Sequence, residues 1–410
     1  MPIHALLGMP LEFIVFGLVL LGVAVFHEHS LSISLAGLAA ITALKLGNSD
    51  FPLLEHLRGE AALVANLLGL LLGFAVLARH FEESRLPLLM PRLLPDDWKG
   101  PFFLLVMVFV LSAFLDNIAA ALIGGTVAMT VFQGRVHVGY LAALVAASNA
   151  GGAGSVVGDT TTTMMWIHGI PARQVLHAYV GAGIALLGFG LVAARQQDRH
   201  HRILADSPRH VNVDWVKVAV AAAMLAGAVG ASLLWNFPAA GVWAALLAGA
   251  VFTKTSWQVL PQAFRGACFL LSLVLCASLM PVESLPLASW PSALVLGFVS
   301  SIFDNIPLTR IALMQGGYDW GFLAYAVGFG GSMIWFGSSA GVALAGLYPQ
   351  VRSVGQWVTK GWHVAMAYVL GFAAMLLILG WHPPADEVRN SPGGETGRNV
   401  YPKDETKEHP

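Results

Sequence analysis

Residues 148–166 read SNAGGAGSVVGDTTTTMMW and lie between strongly apolar stretches. The segment holds four glycines, one carboxylate at Asp159, and four consecutive threonines from Thr160 to Thr163. Glycine and threonine weaken a helix, and a carboxylate is costly in apolar surroundings. The segment therefore predicts a helix that unwinds inside a membrane, with Asp159 beside the break.

Apolar sequence dominates the rest of the chain as well. Of the 410 residues, 57% are hydrophobic and only 11% are charged, whereas roughly 25% are charged in an ordinary soluble domain. Apolar runs of about 20 residues, the length that crosses a bilayer, recur along the chain. The net charge of −1 gives no reason to expect a nucleic-acid partner. The expected fold class is an all-α polytopic membrane protein whose main partner is the lipid bilayer.

About ten segments are predicted to span the membrane, several of them short or broken by glycine. They lie near residues 5–26, 31–47, 61–79, 139–167, 175–194, 213–236, 239–252, 264–281, 320–347 and 358–381. Segments 139–167 and 320–347 are the two broken helices.

Two further apolar stretches, 101–133 and 287–317, carry the tripeptide Asp-Asn-Ile near their middle. Non-helical backbone is tolerated at membrane depth only where protein or water satisfies its polar groups. Asn and Asp side chains can form hydrogen bonds to the backbone of such a turn. Each stretch is therefore predicted to be a re-entrant hairpin of two half-length helices, with one long, kinked helix as the alternative.

The polar motifs recur in the same order in both halves of the chain. In each half a Gly-Gly pair follows Asp-Asn-Ile and is separated by five residues from another glycine and a polar residue. These positions are Gly151, Gly152, Gly158 and Asp159 in the first half, and Gly330, Gly331, Gly337 and Ser338 in the second. Such recurrence indicates two repeats, and five crossings in each would make the second inverted relative to the first.

The predicted organisation follows from these repeats. The first repeat covers 1–195, a basic cytoplasmic loop covers 196–212, and the second repeat covers 213–382. A polar tail, 383–410, is expected to be disordered because its composition is rich in Pro, Gly and charge.

Basic residues segregate to one side of this predicted topology. That side's loops carry Arg79, Arg85, Arg92, Lys99, Arg135, Arg195, Arg199, Arg202, Arg209, Lys254, Arg265, Arg352 and Lys360. Apart from the tail, the other side's loops carry Lys45, Arg58 and Arg173. By the positive-inside rule the first side is cytoplasmic, so both termini are expected outside.

Charged residues within the hairpins and broken helices are few: Asp116, Asp159, Asp304 and Arg310. Ionisable groups at membrane depth usually face a cavity and mark an ion or proton path. The alternative is that these carboxylates only cap the broken helices and have no part in an ion path. Arg310 is either a counterion to one of the acids or a side chain that reaches the outer headgroups.

Side-chain oxygen atoms near these acids suit a hard cation such as Na⁺. The unwound helices add free carbonyl groups, which can also bind such a cation. The candidate ion- and proton-binding residues are Asp116, Asn117, Asn149, Gly151, Gly152, Ser155, Asp159, Thr160, Thr161, Asp304, Asn305, Thr309, Gly330, Gly331, Ser332 and Ser338. Na⁺ is expected at Asp116, Asn149, Asp159, Asp304 and Asn305. Asp159 supplies a charge that either a proton or a metal ion can compensate, which predicts exchange of one for the other.

The stretch SNAGGAGSVVGDTTTTMMWIHG at 148–169 resembles the signature of the NhaD-type sodium/proton antiporters, and FDNIPLT at 303–309 resembles that family's second hairpin motif. That family belongs to the ion transporter superfamily, with arsenite permeases and dicarboxylate symporters. The resemblance implies inverted repeats, a rigid scaffold, a moving transport domain and often a homodimer. It also implies a bacterial inner-membrane protein that carries Na⁺ or Li⁺ and H⁺ without a cofactor.

Other functions compete with cation exchange. Coupled uptake of a carboxylate such as citrate is disfavoured, since acids at both hairpin tips would repel an anion. Arsenite efflux is a further alternative. An enzyme is not expected, because the chain shows no HExxH motif, nucleophile–base pair or glycine-rich phosphate loop.

Overall fold

The computed structural model describes residues 5–6, 9–47, 51–203 and 211–384. Within these ranges the regular secondary structure is helical apart from one antiparallel pair of two-residue strands, β1 (Ala5–Leu6) and β2 (Met9–Pro10). The α-helices are α1 (Leu11–Val25), α2 (Ser30–Leu46), α3 (Leu53–Glu83), α4 (Lys99–Ser112), α5 (Asn117–Val131), α6 (Val138–Ala153), α7 (Thr160–Ile167), α8 (Ala172–Leu176), α9 (Ala178–His200), α10 (Trp215–Trp235), α11 (Pro238–Gly249), α12 (Leu260–Ser278), α13 (Trp290–Ser300), α14 (Asn305–Gln315), α15 (Trp320–Gly330), α16 (Ser339–Leu347), α17 (Val354–Lys360) and α18 (Trp362–Ile378). Short 3₁₀ turns occur at His27–His29, Leu86–Leu93, Trp257–Val259, Val282–Ser284 and Pro349–Arg352.

Membrane-spanning length is reached by four helical stretches among the described residues: Leu53–Glu83, Ala172–His200, Trp215–Trp235 and Trp257–Ser278. Helices α17 and α18 meet at 57° and make a fifth span if they are taken together. Eight shorter apolar helices of 10–17 residues accompany them. The structure is thus that of a polytopic membrane protein, and the number of ten spans stays a prediction.

Both Asp-Asn-Ile stretches fold back on themselves. The first breaks at 113–116 between α4 and α5, and Gly124 of α5 lies directly against Val108 of α4. The second breaks at 301–304 between α13 and α14, and Gln315 Nε2 donates a hydrogen bond to Pro286 O at 2.5 Å across its base. In both cases the aspartate caps the returning arm.

Several predicted boundaries differ from the structure. The first helix begins at Leu11 rather than at residue 5, because Pro10 is extended (φ −55°, ψ 140°) and the residues before it pair as strands. Helix α3 begins eight residues before the predicted 61. Helix α9 continues to His200, into the predicted loop 196–212, since charged residues are readily accommodated in a helix beyond the apolar region. Residues 204–210 and the tail from 385 lie outside the described residues.

The two helices that break are the most deeply buried of the fold. Every residue of α6 from Gly139 to Ala153 is buried, and so is every residue of α15. The arms of the first hairpin and α9 pack around α6. A smaller hydrophobic core joins α1, α2 and α12. The helix breaks therefore lie at the centre of the protein, where a polar group is sheltered from lipid.

Candidate ion-binding site

The two helix breaks have nearly the same backbone geometry. Asp159 caps α7 at φ −142° and ψ 141°, and Ser338 caps α16 at φ −142° and ψ 151°. The backbone angles at the hairpin tips match equally well: Asp116 has φ −51° and ψ 141°, and Asp304 has φ −53° and ψ 138°. The recurring motifs therefore form the same local structures, and only Ser338 lacks the charge of its counterpart.

Glycine is required where the chain doubles back at each break. A Cβ atom at Gly152 would lie 2.8 Å from Gly158 O and 3.1 Å from the Cβ of Asp159. A Cβ atom at Gly331 would lie 2.7 Å from Gly337 O and 3.1 Å from the Cβ of Ser338. The second glycine of each pair thus allows the polar cap to approach the end of the preceding helix.

The first glycine of each pair lets a hairpin arm pack closely on the broken helix. A Cβ at Gly151 would collide with the Phe109 carbonyl of α4, which is backbone and cannot rotate away. Gly151→Ala is expected to destabilise the protein by about 1–3 kcal/mol, as overpacking of a core does. The measurement is the midpoint of thermal unfolding in detergent.

Gly183→Ala on α9 is the matched control, because nothing lies within 4 Å of the added methyl group. It should be neutral or slightly stabilising, since alanine favours a helix over glycine. Equal midpoints for the two variants would contradict the prediction.

Buried serines attach each hairpin to its broken helix. Ser112 Oγ donates to Ser148 O at 2.5 Å, and Ser300 Oγ donates to Val327 O at 2.8 Å. Each accepting carbonyl comes three residues before a Gly-Gly pair, and each serine comes four residues before the tip aspartate. The sequence analysis missed both serines, although their identical spacing from Asp-Asn-Ile was a usable signal.

Asp159 is the most unusual group of the site. The residue is 3% exposed, and its Oδ1 accepts a hydrogen bond from the Thr161 amide at 3.1 Å. Its Oδ2 faces α15, where a Cβ at Gly328 would lie 3.4 Å away, and has no hydrogen-bond partner among the described residues. The hydroxyl of Thr161 is buried beside the Asp159 carboxylate and makes no hydrogen bond of standard geometry to the described residues.

The other threonines hold the unwound backbone. Thr162 Oγ1 donates to the carbonyls of Ser155 and Asp159 at 2.5 and 2.9 Å. Thr163 Oγ1 donates to the carbonyls of Val156 and Asp159, each at 2.8 Å. Their hydroxyls are committed because buried carbonyls need donors. The predicted supply of free oxygens from Thr160 to Thr163 is thus reduced.

Amide side chains connect the two halves of the chain through the first tip. Asn117 Nδ2 donates to Asn149 Oδ1 at 3.1 Å, and Asn149 Nδ2 donates to Ser332 Oγ at 3.0 Å. All three residues are buried. Three predicted site residues from the two halves of the chain therefore form one hydrogen-bonded row.

The second tip has its own polar group. Asp304 Oδ1 accepts from the Ile306 amide at 3.0 Å, and Ser339 Oγ donates to Asp304 Oδ2 at 3.4 Å. The side-chain nitrogen of Asn305, Nδ2, is buried without a hydrogen-bond partner among the described residues. A cavity of about 250 Å³, lined by α1, α12 and α16, reaches Asp304 and Ser339.

The remaining predicted site residues help to shape the backbone. The hydroxyl of Thr309 donates to the Asn305 carbonyl at 2.9 Å, and that of Ser155 donates to the Ala113 carbonyl at 2.6 Å. Thr160, by contrast, is half-buried at the start of α7.

The three aspartates do not form a single cluster. Asp159 is close enough to interact electrostatically with both Asp116 and Asp304. However, no group of three or more His, Cys, Asp or Glu side chains in the described part of the chain could hold a metal ion. Each aspartate caps a different half-helix, which keeps the three carboxylates apart.

Arg310 pairs with an acid that the sequence analysis did not single out. Its Nη2 bonds Glu60 Oε1 of α3, and Arg310 is only 4% exposed. The side chain is therefore enclosed by protein, and its ion pair is with Glu60 rather than with one of the three aspartates. Glu60 was missed because the span was predicted to begin at residue 61, one position after it.

Comparisons with known proteins find similarity to membrane transporters. The family model described as "Citrate transporter" matches residues 16–330. "Sodium/proton antiporter 1" of Arabidopsis thaliana is 28% identical over 327 residues, which are 67% of this chain and 55% of that protein. "Sodium/proton antiporter 2" of the same plant is 24% identical over 379 residues, 78% of this chain and 88% of that protein.

The chain thus spans about half the length of the first relative. The predicted membership of the ion transporter superfamily is supported, and the narrower assignment to the NhaD type stays a prediction. Because the family model covers most of the sequence, the chain belongs to the citrate transporter family, a family of secondary membrane transporters.

Proposed function

We propose that this transporter exchanges Na⁺ or Li⁺ for H⁺ by alternating access. The observation that carries the proposal is Asp159, a buried carboxylate with one oxygen that lacks a partner among the described residues. An uncompensated buried charge costs so much that the group is either neutralised or paired. A proton and an alkali cation can each compensate Asp159, but not both at once, and that competition is the basis of exchange.

The chemistry around Asp159 supports a cation. The Thr161 hydroxyl is a neutral oxygen group of the kind that hard cations accept. The Asn149 amide oxygen accepts one hydrogen bond from Asn117 and keeps a second lone pair for a cation. Asp116 lies near enough to Asp159 to add negative potential. In this proposal the first tip and the first break bind the exchanged cation, and the second tip lines its route through the cavity at Asp304.

We also propose the architecture that such exchange requires. It comprises ten spans in two inverted repeats, 1–195 and 213–382, with hairpin 101–133 entering from the cytoplasm and hairpin 287–317 from outside. The hairpins and broken helices move against a scaffold that includes α1 and α12, and two copies pair as a homodimer. Both termini lie outside a bacterial inner membrane.

Uptake of a carboxylate such as citrate is the second candidate, and the family's description favours it. Against it, the cavity at the second tip contains Asp304 and, among the described residues that line it, no basic side chain. Arg310, the basic residue of the second hairpin, is already paired with Glu60. An anion would therefore meet negative charge without a compensating cation from the protein. Arsenite efflux, the remaining alternative, would show as a change in arsenite tolerance.

Everted membrane vesicles distinguish the two main candidates. With a pH gradient established and reported by a fluorescent probe, addition of Na⁺ or Li⁺ is expected to dissipate the gradient, and citrate is not. Vesicles from cells that lack the protein provide the background. A response to citrate with none to Na⁺ or Li⁺ would favour carboxylate transport instead.

A further inference from the structure

A second pocket, of about 470 Å³, lies at the junction of three segments far apart in the chain. One segment is the turn before α6, one is the C-terminal end of α9, and one joins α17 to α18. The lining side chains used below are His137, Arg199, His200, Thr359, Lys360 and Trp362. We call this the basic pocket.

Positive charge is concentrated in the basic pocket without an acid to balance it. Among the described residues, Arg199 and Lys360 form no ion pair. The one acid of α9, Asp198, pairs instead with Arg202 at 3.8 Å. Together with the imidazoles, Arg199 and Lys360 give the pocket groups that can donate hydrogen bonds to an anion. The Thr359 hydroxyl lines the pocket but donates to Gly355 O at 2.6 Å.

The two histidines of the basic pocket lie next to each other. The rings of His137 and His200 lie 5.4 Å apart between centroids. Burial, followed by the proximity of His200 and Lys360, lowers the pKa of His137. His200 and Lys360 are thus close enough to oppose protonation of His137, and a bound anion would relieve that opposition.

The position of the pocket matches a membrane interface. Trp362 is 48% exposed, and tryptophan is enriched at headgroup level. Helices α9 and α18 pack side by side below the pocket and expose apolar side chains such as Leu187, Met366 and Leu370. All three lining segments also lie on the side that the basic residues of the loops predict to be cytoplasmic.

We infer that the basic pocket binds the phosphate headgroup of an anionic phospholipid whose acyl chains lie along α9 and α18. Basic pockets between membrane helices on the cytoplasmic side recognise such headgroups by charge. The neighbouring apolar surface favours a lipid over free phosphate, because a free ion gains nothing from it. The inference does not depend on which ion the transporter carries.

Lipid binding to the purified full chain in neutral detergent tests this inference. Dissociation constants are measured for phosphatidylglycerol, phosphatidylcholine and inorganic phosphate by native mass spectrometry or thermophoresis. Phosphatidylglycerol is expected to bind more tightly than the other two. Arg199→Gln/Lys360→Gln is expected to weaken it roughly 25-fold, because each basic residue near an anionic lipid contributes about fivefold.

Two further variants determine how the result is interpreted. Lys254→Gln/Arg265→Gln removes the same charges from exposed residues elsewhere on the predicted cytoplasmic side and should bind as the wild type does. Arg199→Lys/Lys360→Arg keeps both charges and should also bind normally. Equal weakening by the two glutamine pairs, loss of binding in the charge-retaining variant, or phosphate binding as tight as phosphatidylglycerol would each overturn the inference.

Discussion

Everted vesicles that contain the Asp159→Asn variant are expected to lose Na⁺-dependent and Li⁺-dependent proton exchange. Asparagine has nearly the same shape as aspartate but cannot gain or lose the proton that exchange requires. A unit charge about 4 Å from a cation is worth about 4 kcal/mol at an effective dielectric constant near 20, which is roughly a thousandfold in affinity. Dissipation of the pH gradient should therefore fall to the level of vesicles without the protein.

Folding should survive this substitution. Asparagine caps a helix about as well as aspartate, so the bond from the Thr161 amide to Oδ1 can be kept. The variant must be present in the membrane in the same amount as the wild type, as determined by immunoblotting. Wild-type exchange at equal amounts would exclude Asp159 as the exchanging group.

Asp319→Asn is the matched control for Asp159→Asn. Asp319 is also a buried helix cap, at the start of α15, and is 6% exposed. Its oxygens accept from the amides of Gly321 at 3.1 Å and His382 at 3.0 Å, so neither oxygen is free to take a cation. Asparagine can accept from only one of these two amides, so the variant should be about 1–3 kcal/mol less stable. At equal amounts in the membrane it is expected to exchange ions normally, which would show that the loss depends on the open oxygen of Asp159.

The Glu60→Gln variant is expected to be about 3–5 kcal/mol less stable than the wild type, the range measured when one member of a buried ion pair is removed. Arg310 would remain buried with its full charge, and its Nε and Nη1 atoms already lack partners among the described residues. The pair joins α3 to α14, 250 residues apart in the chain. The measurement is the midpoint of unfolding in detergent.

The double variant Glu60→Gln/Arg310→Gln should recover much of this loss, because it leaves no unpaired charge. Glu82→Gln provides a surface control on the same helix. Glu82 pairs with Arg79 at 2.8 Å, and the two side chains are 59% and 44% exposed, so its loss should cost at most about 1 kcal/mol. A double variant as unstable as the sum of its single variants would show that the pair acts through packing.

The breaks in the helices were predictable from local sequence. Helix α6 ends at Ala153 and α7 begins at Thr160, inside the stretch where glycine and threonine accumulate. The hairpins turn at Asp116 and Asp304, where an aspartate precedes an asparagine. These features depend on the conformational preferences of a few adjacent residues, and such preferences can be read along the chain.

The roles of the polar side chains were harder to predict. Four threonines in a row indicated free oxygens, yet Thr162 and Thr163 bond backbone carbonyls. Which hydroxyl remains open depends on where the unwound chain places its carbonyls. Likewise, Asn149 bonds Asn117 and Ser332 rather than standing free.

By itself, then, the sequence determined that the chain is a membrane protein with two broken helices, two hairpins and aspartates at their turns. Composition and neighbouring residues are sufficient for this, because helix breaking and burial in lipid are local energetic effects. The tertiary structure alone decided that Arg310 pairs with Glu60, that Asp159 Oδ2 is open, and that His137, His200 and Lys360 meet in one pocket. Such contacts join residues tens to hundreds of positions apart, and the packing of whole helices brings them together.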